Sequence, residues 1–167
     1  MRKNRPVIEM DNVDTAMLRL LQVDGALSNT TLGEKLSLNV VPCSQRRKRL
    51  EDAGVITGYQ VNIDRRAVGM NVFAFVLVAL NMHYEKASDD FEAIINNCQE
   101  VLACHEITGN ADYLLQIVAP DLDSYGEFIE WLLRCRTGIS VVESSLALRE
   151  VKFSSRVPVP QLPIGET

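Results

Sequence analysis

Four consecutive cations, Arg46, Arg47, Lys48 and Arg49, stand in a chain whose formal net charge is −5. Guanidinium and ammonium groups at this density match nucleic-acid phosphates, and the adjacent Ser44 and Gln45 offer donors and acceptors to base edges. A solvated helix carrying long side chains is the competing explanation. A second polar stretch, TGNADY, runs from Thr108 to Tyr113. Gly109 permits positive φ and Asn110 tolerates it, so its plainest reading is a hairpin turn. The same turn holds a carboxylate, Asp112, and the N–H groups of Asn110 and Ala111, which suit a small anion nest. The histidines are His83 and His105. Neither has a neighbouring nucleophile, metal-ligand spacing or a glycine-rich phosphate loop, and each reads as a strand residue with an ordinary partner. Asp121, Asp123, Glu127 and Glu130 read as a helix-dipole match and a solvated face. No catalytic residue, metal set or cofactor is predicted.

The 167 residues suit one large domain or two small ones, and 47% hydrophobic content allows a real core. Charge is unevenly distributed: residues 1–66 carry +3 and residues 67–167 carry −8. That asymmetry points to two domains with different partners. The N-terminus has no apolar run after its basic residues, and the longest apolar stretch, Val72–Leu80, is too short to span a bilayer. Four scattered cysteines read as buried thiols in a reducing cytoplasm rather than a disulfide framework.

In the first part, MDNVDTAMLRLLQVDG reads as a helix with Asp11 as N-cap, Gly25 after its end, and Val13, Met17, Leu20 and Leu21 on one face. SNTTLGEKLSL reads as a second helix capped by Ser28, with Leu32 and Leu36 inward; Gly33 within it predicts the close approach of another helix. A third helix starts after Asn39, tolerates Pro42 in its first turn, and ends at Gly54. Cys43 and Leu50 share its buried face, so the four cations surround it rather than line one side. Two short helices joined by a tight turn, the second cationic, form a helix-turn-helix pattern. There Ser44, Gln45, Arg46, Lys48 and Arg49 are the candidate contacts to double-stranded DNA, with Lys48 and Arg49 on phosphates. GVITGYQVNID then alternates like a short strand pair, a wing.

From Val72 onwards the pattern is strand, helix, strand, turn, strand, helix, strand. Ser88 is the expected cap of the first helix, with Phe91, Ile94 and Ile95 inward. Leu122, Tyr125, Ile129, Leu132 and Leu133 are the expected inward face of the second, with Gly138 at its C-cap. The order β-α-β-β-α-β is ferredoxin-like. The expected class is α+β: a winged helix-turn-helix domain over residues 1–60, a connector strand or linker over 61–71, a ferredoxin-like domain over 72–153, and a tail over 154–167. One sheet face lacks helices, and a second copy is the simplest cover, which predicts a homodimer.

DNVDTAMLRLLQVDG, VPCSQRRKRLEDAGVITGY, TGNADYLLQIVAPDLDSY and SLALREVKFSSRVP, spread over residues 10–158, together resemble the Lrp/AsnC family of leucine-responsive and feast/famine transcriptional regulators. The resemblance implies a cytoplasmic, sequence-specific DNA-binding regulator that dimerises or assembles into octamers through its second domain. It also implies a small amino acid of the leucine or methionine class as effector, bound between subunits. Gly109, Asn110, Ala111, Asp112 and Ser144 become its candidate contacts, with Val101, Leu102 and Leu114 lining the pocket. Asp112 then has two available roles, facing the ammonium or organising the loop.

The chain departs from the family pattern at several positions. Arg47 replaces an apolar residue, Ser37 a turn glycine, Gly33 an alanine, and Val142 a threonine that often binds effector. Some proteins resembling the family are sirohaem decarboxylases on the same two-domain plan, which makes a decarboxylase-like enzyme, carried by His83 and His105, the alternative. RNA binding through the sheet is disfavoured by its −8 charge and lack of interleaved aromatic and basic residues.

Overall fold

The computed structural model describes residues 8–81, 86–135 and 138–160. They form two compact units: residues up to 62 together with 153 onward, and residues 63–152. The described residues 153–160 therefore group with the first unit.

The first unit holds α1 (Asn12–Val23), α2 (Asn29–Leu36) and α3 (Val40–Asp52). Helix α1 opens with a reciprocal capping box, Asp11 accepting from the Asp14 N–H and Asp14 from the Asp11 N–H. Ser28 caps α2 by accepting from the Thr31 N–H at 3.1 Å. Asn39 is the N-cap residue of α3 but its side chain caps nothing. The core gathers Met17, Leu18, Leu21, Leu32, Cys43 and Leu50. The buried stripe of α1 thus turns toward Asp14, Thr15 and Leu18, leaving Val13 and Leu20 at its margin.

The α2–α3 turn explains two unusual residues. Ser37 sits in the left-handed region at φ 55°, where glycine is the unstrained choice. The Leu38 N–H donates to the Gly33 carbonyl at 2.8 Å. A Cβ on Gly33 would lie 2.7 Å from the Leu38 carbonyl oxygen. The close approach predicted at Gly33 is therefore made by the turn's own backbone, not by a helix.

No strand forms over residues 54–71, so the expected wing is corrected to coil and turns, and the connector is a linker, not a strand. Gly54 takes φ 68°, turning the chain away from α3, and Val61 and Ile63 face solvent at 85% and 68% exposure with no strand opposite them. An isolated two-strand ribbon without a buried face is marginal in water.

The second unit runs β1 (Val72–Leu80), α4 (Ala87–Ile95), β2 (Val101–Glu106), β3 (Tyr113–Ala119), α5 (Leu122–Arg134) and β4 (Ile139–Leu146). The sheet order is β2-β3-β1-β4, with every neighbouring pair antiparallel. This is the ferredoxin-like arrangement. Ala74, Val76 and Val78 meet Leu115, Ile117, Phe91, Tyr125, Phe128 and Leu132 in one core. Phe73, Phe75 and Leu77 occupy the opposite face, with Phe75 39% exposed.

Three expected details shift in this unit. Ser88 lies inside α4, whose N-cap is Lys86. Phe128 points inward, while Leu122 and Leu133 face outward at 59% and 51% exposure, because the core takes the 125–128–132 stripe. Helix α5 ends at Arg134 with Cys135 as its C-cap, three residues before Gly138.

Candidate functional site

On α3, Cys43 and Leu50 point into the core and fix the helix's rotation. At about 100° per residue, Val41, Gln45 and Lys48 then point directly away, with Ser44 beside them. Gln45, Lys48 and Val41 are exposed, Val41 at 66%. Among the described residues, no hydrogen bond or ion pair engages the side chains of Lys48, Gln45 or Ser44.

The three arginines are occupied. Arg46 Nη1 donates to Asp11 Oδ2 at 2.6 Å and to Asp14 Oδ1 at 2.9 Å. Arg49 Nη2 donates to Asp14 Oδ2, and its Nη1 to the Glu9 carbonyl at 3.4 Å. Asp14 is fully buried, and its carboxylate, inherited from the capping box, bolts α3 to the start of α1. A buried carboxylate is tolerated because both its oxygens accept from guanidinium groups. Partial burial pushes the Asp11 carboxyl up, but the Asp14 N–H and the Arg46 guanidinium outweigh it and hold it below its ordinary value.

Arg47 projects from the core side of the helix and is satisfied there. Its Nε donates to Glu51 Oε1 at 3.2 Å and Tyr59 Oη at 2.8 Å, and its Nη1 donates to the Leu27 carbonyl at 2.9 Å. The guanidinium also lies 4.7 Å from the centre of the Tyr59 ring, a cation–π contact. Tyr59 Oη donates to Glu51 in turn, at 2.7 Å. The departure from an apolar residue at 47 is thus met by a pair with an acid and by fastening residue 59 and the start of α2 to α3.

In the second unit, the β2–β3 turn is closed by the Ile107 N–H donating to the Asp112 carbonyl at 2.9 Å. Gly109 takes φ 128°, which glycine reaches without a side-chain clash. The Asp112 carboxylate accepts from the Leu80 N–H at 2.6 Å, and the Asp112 N–H donates to the Val78 carbonyl at 2.9 Å. Asp112 therefore pins the turn to the end of β1. Among the described residues, the Asn110 and Ala111 N–H groups face no acceptor.

Gly109, Asn110, Ala111 and Asp112 are brought together; Ser144 is not brought to them within the chain. It pairs with Val76, two residues along β1 from Val78, and its Oγ lies 2.6 Å from Tyr125 Oη. Val142, opposite Val78, packs at the edge of the core. Leu102 is 59% exposed, whereas Val101 packs against the core. Tyr113, at the turn's end, donates to Glu92 Oε1 at 2.9 Å; burial first, and that carboxylate second, push its hydroxyl up to about 12. His105 lies on β2 opposite Leu114, and His83 falls outside the described residues. No metal-holding group of His, Cys, Asp and Glu occurs among the described residues.

Sequence reasoning missed Asp14 as a partner of the cations and Val41 as part of the outward face. Val41 had a usable signal: it precedes Gln45 by four residues, hence shares its side of a helix.

Known proteins place these features. The AsnC-type helix-turn-helix domain matches residues 10–51, and the Lrp/AsnC ligand binding domain matches residues 73–157. The chain belongs to the Lrp/AsnC family of transcriptional regulators. It is 33% identical to the DNA-binding transcriptional activator DecR of Escherichia coli over 150 residues, covering 90% of this chain and 99% of that one. A transcriptional regulator of Neisseria meningitidis, solved in complex with L-methionine, superposes with a TM-score of 0.86 at 34% identity, over 90% of this chain and 97% of that one. A feast or famine regulatory protein of M. tuberculosis, also complexed with L-methionine, gives 0.80 at 25% identity, over 91% and 100%. These relatives are named as regulators, which favours a regulator over the decarboxylase-like alternative. As an Lrp/AsnC regulator, the chain carries its four cations inside the helix-turn-helix match and Gly109–Asp112 and Ser144 inside the ligand-binding match. No helix among the described residues is long and apolar enough to cross a membrane.

Proposed function

We propose that the chain binds double-stranded DNA by laying the outward face of α3 into the major groove. In this reading Ser44 and Gln45 meet base edges, Val41 suits a thymine methyl, and Lys48 contacts phosphate. Arg46 and Arg49 keep free N–H groups for phosphate while Asp14 holds them. The observation that carries the reading is the outward row of Val41, Gln45 and Lys48, free of partners while the neighbouring arginines hold the helix. A homodimer, assembling further into octamers, would present paired helices; in a dimer these address half-sites about 34 Å apart. The exposed Phe75 side of the sheet supports self-association. The protein acts in the cytoplasm, where its DNA is.

The second unit is the effector sensor, and L-methionine is the first amino acid to test, because two similar structures hold it. The N–H groups of Asn110 and Ala111, without an acceptor among the described residues, suit the amino acid's carboxylate. With Asp112 engaged by Leu80, acceptors for the ammonium come in part from a second copy. Ser144, on β4, then serves a site completed by that copy. Thermal shift against all twenty amino acids tests this: selective stabilisation by methionine or leucine is expected, and no stabiliser among the twenty contradicts it.

A further inference from the structure

The chain does not stop at β4. Through residues 147–152 it continues into the strap Phe153–Pro160, which belongs to the DNA-binding unit. There the Val157 N–H donates to Gln22 Oε1 at 2.6 Å, and Gln22 Nε2 donates to the Val157 carbonyl at 3.0 Å. One side-chain amide thus satisfies both main-chain groups of Val157, as a neighbouring strand would. Two residues on, the Val159 carbonyl accepts from Arg19 Nη2 at 2.8 Å and Nε at 3.3 Å. Arg19 and Gln22 are three apart on α1, hence on one face. The Val159 side chain packs against the helix-turn-helix core. Pro158 and Pro160 alternate with the valines, fixing φ so that less disorder is lost on docking.

We infer that the Arg19–Gln22 face of α1 is a docking surface for an extended Val-Pro-Val segment, that this chain's residues 157–159 occupy it, and that the strap transmits the effector unit's state to the DNA-binding helices. The surface reads backbone groups at Val157 and Val159 and one apolar side chain. A tail held at two alternate carbonyls and one inward valine is built in, unlike a tail lying free. Because the strap is the continuation of β4, which carries Val142 and Ser144, a ligand that binds the docked and undocked states unequally shifts the DNA-binding unit between them. The transmission half rests on the proposed amino-acid reading; the docking half does not.

Two variants test it: a chain ending after Arg156, and full-length Gln22→Ala. Hydrogen exchange at the Val157 amide reads docking. Slow exchange in the wild type and faster exchange in Gln22→Ala are expected; equal, unprotected exchange in both overturns the docking. DNA affinity measured with and without L-methionine reads transmission. A methionine effect of roughly fivefold or more in the wild type is expected to collapse toward none in both variants, while each still binds DNA and methionine. An undiminished methionine effect in both overturns the transmission. A wild type that binds methionine without any change in DNA affinity also overturns it. A wild type that binds no amino acid removes the amino-acid reading and the transmission with it, and the exchange measurement still decides the docking.

Discussion

The recognition helix and the β2–β3 turn both advertise charge in the sequence, and they use it in opposite ways. In α3, three of the four cations are engaged by the protein: Arg46 and Arg49 by Asp14, Arg47 by Glu51 and Tyr59. Lys48 alone of the four points out unengaged among the described residues, with neutral Gln45 beside it. In the turn, the charged residue Asp112 is drawn onto the Leu80 N–H, and neutral backbone donors at Asn110 and Ala111 are left without an acceptor among the described residues. A run of charges therefore marks where a surface lies, while a buried counter-group decides which charges that surface can offer. On this reading the helix meets an anion with a lysine and guanidinium edges, and the turn meets one with backbone dipoles.

The comparison breaks first at Asp14. Asp14→Ala removes two guanidinium partners and half the capping box, so the first unit should lose about 2–3 kcal/mol by urea denaturation. A loss below about 0.5 kcal/mol, the range of an ordinary surface change, would show that the arginines are not held.

Next comes the turn that sets α2 against α3. Gly33→Ala places a methyl against the Leu38 carbonyl and should cost about 1–3 kcal/mol. Ser37→Gly relieves left-handed strain and should stabilise by about 1 kcal/mol, raising Tm by roughly 2–4 °C. The two sites share one turn, so the double variant should depart from additivity by about 0.5 kcal/mol or more. Strict additivity would separate them.

Asp112 sharpens the other side of the comparison. Asp112→Asn keeps an acceptor for the Leu80 N–H but loses the charge, whereas Asp112→Ala loses both. If the carboxylate organises the turn, Asn retains amino-acid binding and Ala loses it, with about 1 kcal/mol of stability. Equal loss in both variants assigns the charge itself to the ligand.

The smallest effect is one of pH. The folded Asp11 carboxyl lies below its ordinary value of 3.8. Its stabilisation is complete above that value and is lost as pH falls through the lower folded one. Asp11→Asn should therefore flatten the acid limb of the stability curve below about pH 4 and leave neutral stability without a pH slope. An acid limb identical to wild type would remove Asp11 from the ion-pair cluster.

Much of the fold was legible because local signals agreed. Apolar runs named the strands of the second unit, the Gly109–Asn110 turn joined two of them, and the Cys43–Leu50 spacing named the inward side of α3. What escaped reading depended on partners distant in sequence. Asp14 reads as a first-turn charge, and only its contact with α3, some thirty residues on, reveals it as the counter-charge of two arginines. Leu122 and Leu133 share the hydrophobicity of Phe128, so composition does not say which the core selects; the packing of β3 does. The wing failed because alternation in GVITGYQVNID describes a strand's side chains without supplying a neighbour for its backbone. Of the candidate site, the four turn residues were legible as a contiguous motif, whereas the placement of Ser144 depended on the β1–β4 register.

The most direct measurement is the salt dependence of binding to duplex DNA for the wild type, Lys48→Ala and a variant of matched charge elsewhere on the first unit, Lys35→Ala. The account predicts a complex in dilute buffer whose log affinity falls linearly with log salt. Lys48→Ala should make that slope shallower by about 0.9, one phosphate contact, and Lys35→Ala should leave it unchanged. No complex in dilute buffer, or a slope that Lys48→Ala leaves untouched, would contradict the assignment of α3's outward face to DNA.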